Sequence, residues 1–155
     1  MNDDKKIYAS PLDIIREGRR LGRPRGAEYT PIELCQRFVD YLEFMRSRVW
    51  MRADVVKSGF IAGTIFEIPT QAPLQLSGFL LFAGMGKKAF EALRLDEDYE
   101  DAIDIIDNCI ATQQIEGAMV GAYNANLVAR VQKLGDKVDT DATIKVEQIT
   151  GMIIT

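Results

Sequence analysis

Five arginines fall within ten positions of one short stretch, IREGRRLGRPRG (15–26): Arg16, Arg19, Arg20, Arg23 and Arg25. The chain around them is acidic, with 19 Lys and Arg against 23 Asp and Glu and a net charge of −4. A guanidinium offers a planar fork of donors that grips two phosphate oxygens, and binding a polyanion releases its counterions. The segment Gly22-Arg23-Pro24-Arg25-Gly26 is also compact enough for a narrow minor groove, where arginine is favoured. Two other uses stay open: pairing with the acidic stretch 96–107 of the same or a neighbouring subunit, or service as a solubilising tail. A second basic set, Lys87, Lys88 and Arg94, follows Gly84-Met85-Gly86 and would lie on the outside of a short helix. Lysines there suit phosphate better than base edges; only Arg94 and Glu91 have the chemistry to read bases.

What is missing narrows the chemistry. The 155 residues contain no histidine, which removes Ser-His-Asp and Cys-His catalysis and histidine-ligated metals. Cys35 and Cys109 both sit in apolar, helix-like stretches and read as small buried hydrophobes in a reducing compartment. Two cysteines alone make no structural zinc site. GMGKK (84–88) invites comparison with a phosphate-binding loop, but Leu81 stands where glycine is needed and Lys88 where Ser or Thr would hold magnesium. Seven carboxylates lie between Asp96 and Asp107; they read as a solvated helix start, with a metal site the minor alternative. The expectation is a protein without enzymatic activity, cofactor or metal. No apolar run is long enough for a membrane span, and MNDDKKIYAS lacks a signal-peptide core, so the expected place is the cytoplasm.

The elements that must carry these residues follow from spacing. Residues 1–28 hold no sustained apolar period, and Gly18, Gly22, Pro24 and Gly26 break any long helix, so they read as a flexible basic arm in which PLDIIREG (11–18) could form a helical turn or two. A helical core with a β-hairpin is expected over 29–135. Thr30, Pro31 and Glu33 form a helix-start signature, predicting a helix over 31–47. The Val-, Ile- and Phe-rich stretch broken by Ser58-Gly59 and Gly63 predicts a hairpin within 49–68, its strands near 49–57 and 61–68. Residues 74–94 predict a helix-turn-helix-like unit, with helices near 76–83 and 87–94 about a glycine turn. A strong helix follows from the acids at 96–101, with Tyr99, Ala102, Ile103, Ile106, Cys109 and Ile110 as its buried stripe. Helical spacing continues to Gly135, and its small residues Gly117, Ala118, Gly121, Ala122 and Ala125 suit close helix contact within or between subunits. In the tail 136–155, TIKVEQI (143–149) alternates apolar and polar with period two and MIIT is β-branched, which predicts a strand that needs a partner from the hairpin or from other copies.

The order of parts resembles the small terminase subunit, or DNA-packaging protein, of tailed bacteriophages. The resemblance runs from about Gly18 to Lys137. It is carried by the basic arm GRRLGRPRGAEYTPIEL, the hairpin VWMRADVVKSG…IAGTIFEIP, and PLQLSGFLLFAGMGKKAFEALR. Most specific is DEDYEDAIDIIDNCIATQQIEGAMVGAYNANLVAR, which ends in an Asn124-Ala125-Asn126-Leu127-Val128-Ala129-Arg130 signature. The resemblance implies a non-enzymatic subunit that assembles into a homo-oligomeric ring. It would recognise double-stranded viral DNA in the host bacterial cytoplasm and recruit the large ATPase–nuclease subunit. Some members of the family end in a basic tail, whereas this chain ends apolar, which shifts expected DNA contact to Arg16–Arg25 and to Lys87, Lys88 and Arg94. The rival from another class is a dimeric helix-turn-helix transcriptional regulator.

Overall fold

A computed structural model describes residues 10–22 and 29–134. It is mainly helical, with one two-stranded antiparallel hairpin. The elements are α1 (Pro11–Arg20), α2 (Pro31–Arg46), β1 (Val49–Val55), β2 (Ile65–Gln71), α3 (Leu76–Ala83), α4 (Lys87–Arg94), a 3-10 turn (Glu97–Tyr99), α5 (Glu100–Met119) and α6 (Ala125–Val131). Arg23, Arg25 and the expected C-terminal strand at 136–155 lie outside the described residues.

The expected arm over 1–28 needs correction where it is described. Pro11–Arg20 is a docked helix, opened by a capping box between Ser10 and Asp13, with Ile14 and Gly18 buried. Gly18 acts here as a contact residue and not as a helix breaker: a methyl group on it would overlap the Phe82 carbonyl, so α1 lies directly against the α3 backbone. Ile14 then reaches the space over Gly78, beside Tyr41.

The core is aromatic at its centre. α2 begins at the Thr30/Glu33 capping box and turns Leu34, Phe38, Tyr41 and Met45 inward at helical spacing. Phe38 meets Phe79 of α3 edge to face, with ring centres 5.1 Å apart, and Tyr41 and Phe44 pack on Phe82. From α5, Ala102, Ile103, Ile106 and Ile110 close the same core. Cys35 and Cys109 are free thiols, half-buried against it.

The hairpin differs from expectation in its second strand, which runs over 65–71. Ala72 donates to the Arg48 carbonyl and Val56 to the Thr64 carbonyl, so paired hydrogen bonds fall on even-numbered residues of β1. Pro69, opposite Met51, occupies a non-hydrogen-bonded place where its missing N–H costs nothing, so the strand passes through it. A longer loop takes up the difference, turning through Gly59 (φ 94°) and Gly63 (φ 90°). Arg52 donates to the Gly121 carbonyl at 3.0 Å, and the Tyr123 hydroxyl donates to the Gln71 carbonyl at 2.9 Å. These bonds lean the ribbon toward the α5–α6 turn. Its other face carries Val49, Met51, Ala53, Val55, Ile65 and Pro69 together with Glu67 and Gln71, all exposed.

The helical spacing that runs to Gly135 is divided between two helices. α5 stops at Met119, Gly121 adopts φ 75°, and Asn124 caps α6 by accepting from the Leu127 N–H. The turn folds the Tyr123 ring flat against Gly117, where any side chain would collide with it. Gln113 and Gln114 of α5 hold the chain entering α3: Gln113 accepts from the Leu74 N–H at 3.0 Å, and buried Gln114 donates to the Leu74 carbonyl.

Candidate nucleic-acid interface

The basic residues reach the surface from two elements that the core brings together. On α1, Arg16, Arg19 and Arg20 are exposed, three and four residues apart and opposite the buried Ile14 and Gly18. Arg20 is engaged by Glu17 at 2.5 Å, which holds the Glu17 carboxyl below its ordinary range. Arg16 and Arg19 form no ion pair with a described residue. The open alternative of pairing with 96–107 is therefore not realised by α1 within the chain.

α3 and α4 form two short helices about Gly84-Met85-Gly86. Gly84 takes the left-handed conformation (φ 64°), and Met85 donates back to the Leu80 carbonyl at 3.0 Å, closing α3 as a glycine C-cap does. Leu80, Ala83 and Phe90 are buried and Met85 and Leu93 half-buried. α4 buries only Phe90, leaving Lys87, Lys88 and Glu91 exposed. No acid lies in its first turn, so two lysines add to the positive end of the helix dipole, an arrangement unfavourable to the helix alone and attractive to an anion.

Docking of α1 brings Arg19 beside the α3–α4 turn. Arg19 lines a groove of about 400 Å³ together with Gly18, Phe82 and Gly84 to Gly86, and Lys87 is the next residue along the chain. Arg94 does not join them. Its guanidinium is held by Asp107 of α5 through two hydrogen bonds, 2.5 and 3.1 Å, lies 3.4 Å from Glu91, and stacks over Phe90. These acids raise its pKa further, and its charge is neutralised where base reading would need it free.

Two of the five small residues assigned to subunit contact have work inside the chain: Gly117 receives Tyr123, and Gly121 makes the turn. Ala118 and Ala122 are half-buried and Ala125 is exposed. Beside them lies a groove of about 1050 Å³ between the start of α3, α5 and α6, with Leu76, Ile110, Leu127, Val128 and Val131 on its walls. Among the described residues, no group of three or more Cys, Asp or Glu side chains is placed to hold a metal, and no helix is long and apolar enough to cross a membrane.

Sequence reasoning missed Gly18, Tyr29 and Arg37. The Tyr29 hydroxyl donates to the Ala83 carbonyl at 2.6 Å, its own carbonyl accepts from the Tyr99 hydroxyl at 2.6 Å, and the Arg37 guanidinium lies 5.9 Å from its ring centre. For Arg37 a signal was available: it stands three residues after Leu34 and four before Tyr41, on the stripe that α2 turns inward. Comparison with known proteins brings no match from either a family model or a curated protein.

Proposed function

We propose that this chain is the small, DNA-recognising subunit of a viral genome-packaging terminase. It assembles as a homo-oligomeric ring, binds double-stranded viral DNA and presents it to the large ATPase–nuclease subunit. The observation that carries this reading is the docking of α1 on α3, which puts Arg19 in a groove beside the α3–α4 turn, with Arg16 exposed on the same helix and Lys87 and Lys88 exposed where α4 begins, none ion-paired to a described residue. Each subunit then offers a small phosphate-binding patch, and repetition around a ring multiplies weak patches by avidity. The exposed, largely apolar face of the hairpin supports assembly, since a two-stranded ribbon is marginal until something covers it. Arg94, held by Asp107, also pairs with Glu91, so both groups of α4 that could read bases are engaged, which favours backbone grip over sequence reading by this helix. The exposed face of α4 equally suits a dimeric helix-turn-helix regulator, and solution mass separates the two readings.

The test uses the full chain. Light scattering should give a particle well above a tetramer, and duplex DNA should bind with a steep salt dependence. The combined variant R16Q/R19Q/K87Q/K88Q should lower the slope of log K against log salt by about three to four, near one per lost phosphate contact. A dimer would favour the regulator. A monomer indifferent to duplex DNA in dilute buffer, or a variant with an unchanged slope, would refute the proposal.

A further inference from the structure

Among the described residues, Arg37 is the charged side chain that the core encloses, 9 % exposed. Its Nη2 donates to the Gly22 carbonyl, just past the end of α1, and its guanidinium faces the Tyr29 ring. Nη1 is shut away from water and has no hydrogen-bond partner. The nearest acids do not relieve it: Glu33 and Asp40 line the same shallow pocket, but Glu33 is committed to the Thr30 capping box and Asp40 to Gln36. A buried cation with an open N–H is a poor way to hold a fold together, and an apolar side chain of similar length usually serves stability as well or better.

What the guanidinium does achieve is positional. It fixes the C-terminal end of α1 through Gly22, and it braces Tyr29, whose hydroxyl holds the last carbonyl of α3 at Ala83. α1 carries Arg16 and Arg19, and Ala83 opens the turn that leads to Lys87 and Lys88. We infer that Arg37 is a positioning residue for nucleic-acid binding: it sets the arginine face of α1 against the α3–α4 turn so that both basic sets meet one polyanion. This inference rests on the DNA-binding reading above.

The experiment compares wild type with R37M and R37K, all as full chains, by thermal melting and by titration with duplex DNA across a salt series. R37M should melt at the wild-type temperature or above it, yet bind DNA about fivefold more weakly. R37K, which keeps the charge but loses the planar fork, should fall between the two and serves if R37M does not fold. In an R19Q background the same change at Arg37 should alter affinity less than twofold, because it acts through the placement of Arg19. Wild-type affinity in both variants overturns the inference. So does a loss that tracks a matching fall in Tm, or a loss just as large in the R19Q background. If wild type itself ignores duplex DNA, the parent reading fails and this one with it; if wild type binds and the variants match it, only the positioning role falls.

Discussion

Replacing Gly18 with alanine sets two effects of opposite sign against each other. Gly18 lies inside α1 with ordinary helical geometry, and alanine in a helix interior is normally favoured over glycine by about 1 kcal/mol. A Cβ at this position would overlap the Phe82 carbonyl oxygen, which belongs to α3 backbone and cannot swing aside as a flexible side chain would. Either α1 and α3 separate slightly in a strained core, at about 1–3 kcal/mol, or α1 lifts away and exposes Ile14, now 5 % exposed, at about 1.5–3 kcal/mol. Set against the propensity gain, the net expectation is a loss of up to about 2 kcal/mol. For a domain of this size that lowers Tm by up to about 8 °C. Urea unfolding with linear extrapolation gives the free energy, and a thermal melt gives the second measure. A G18A variant that unfolds at higher urea than wild type would show that propensity wins and that α1 is not seated on α3 as described.

Three further outcomes follow from particular contacts. G117A should cost about 1–3 kcal/mol in urea unfolding, because its methyl group meets the Tyr123 ring and disturbs the Tyr123–Gln71 and Tyr123–Gln113 hydrogen bonds; a neutral G117A would mean the α5–α6 turn repacks freely. D107N should cost less than about 1 kcal/mol at low salt and fade as salt rises, since the Arg94–Asp107 pair is partly exposed; a loss above about 2 kcal/mol would contradict a surface tether. Burial holds the Tyr41 hydroxyl above the ordinary tyrosine value of about 10, so its contribution is intact at neutral pH and declines as pH climbs past that unfolded-state value. Stability of wild type should therefore fall more steeply than that of Y41F between about pH 9.5 and 11, and parallel curves would count against the buried phenol.

Local signals carry much of the fold. Thr30, Pro31 and Glu33 satisfy the first donors of α2 by themselves, and Gly84 ends α3 because a left-handed residue there closes the last carbonyls, so the bounds of α2, α3 and α4 were legible to within a residue. The buried stripe of α5 was legible for the same reason, since helical period alone selects Ala102, Ile103, Ile106 and Ile110. Where glycine was read as punctuation the reading failed in both directions. Gly18 looked like a breaker and is a contact, and Gly121 looked like a small residue within a helix and is the turn that ends one. A glycine records only the absence of a side chain; whether that absence serves φ or proximity depends on what lies opposite.

The candidate site divides along the same line. Composition and spacing alone showed that this chain clusters positive charge at 16–25 and holds no histidine-based chemistry, because residue types limit which reactions and ligands are possible. Which cations stand together was decided only in three dimensions. Arg94 and Lys88 are near neighbours in sequence, yet Asp107 takes the one while the other remains exposed; Arg19 and Lys87 are far apart in sequence, yet Gly18 packed on Phe82 sets them beside one turn. Charge is a property of residues, but its availability depends on packing, since a side chain from a distant element can neutralise it or carry it to a new neighbour.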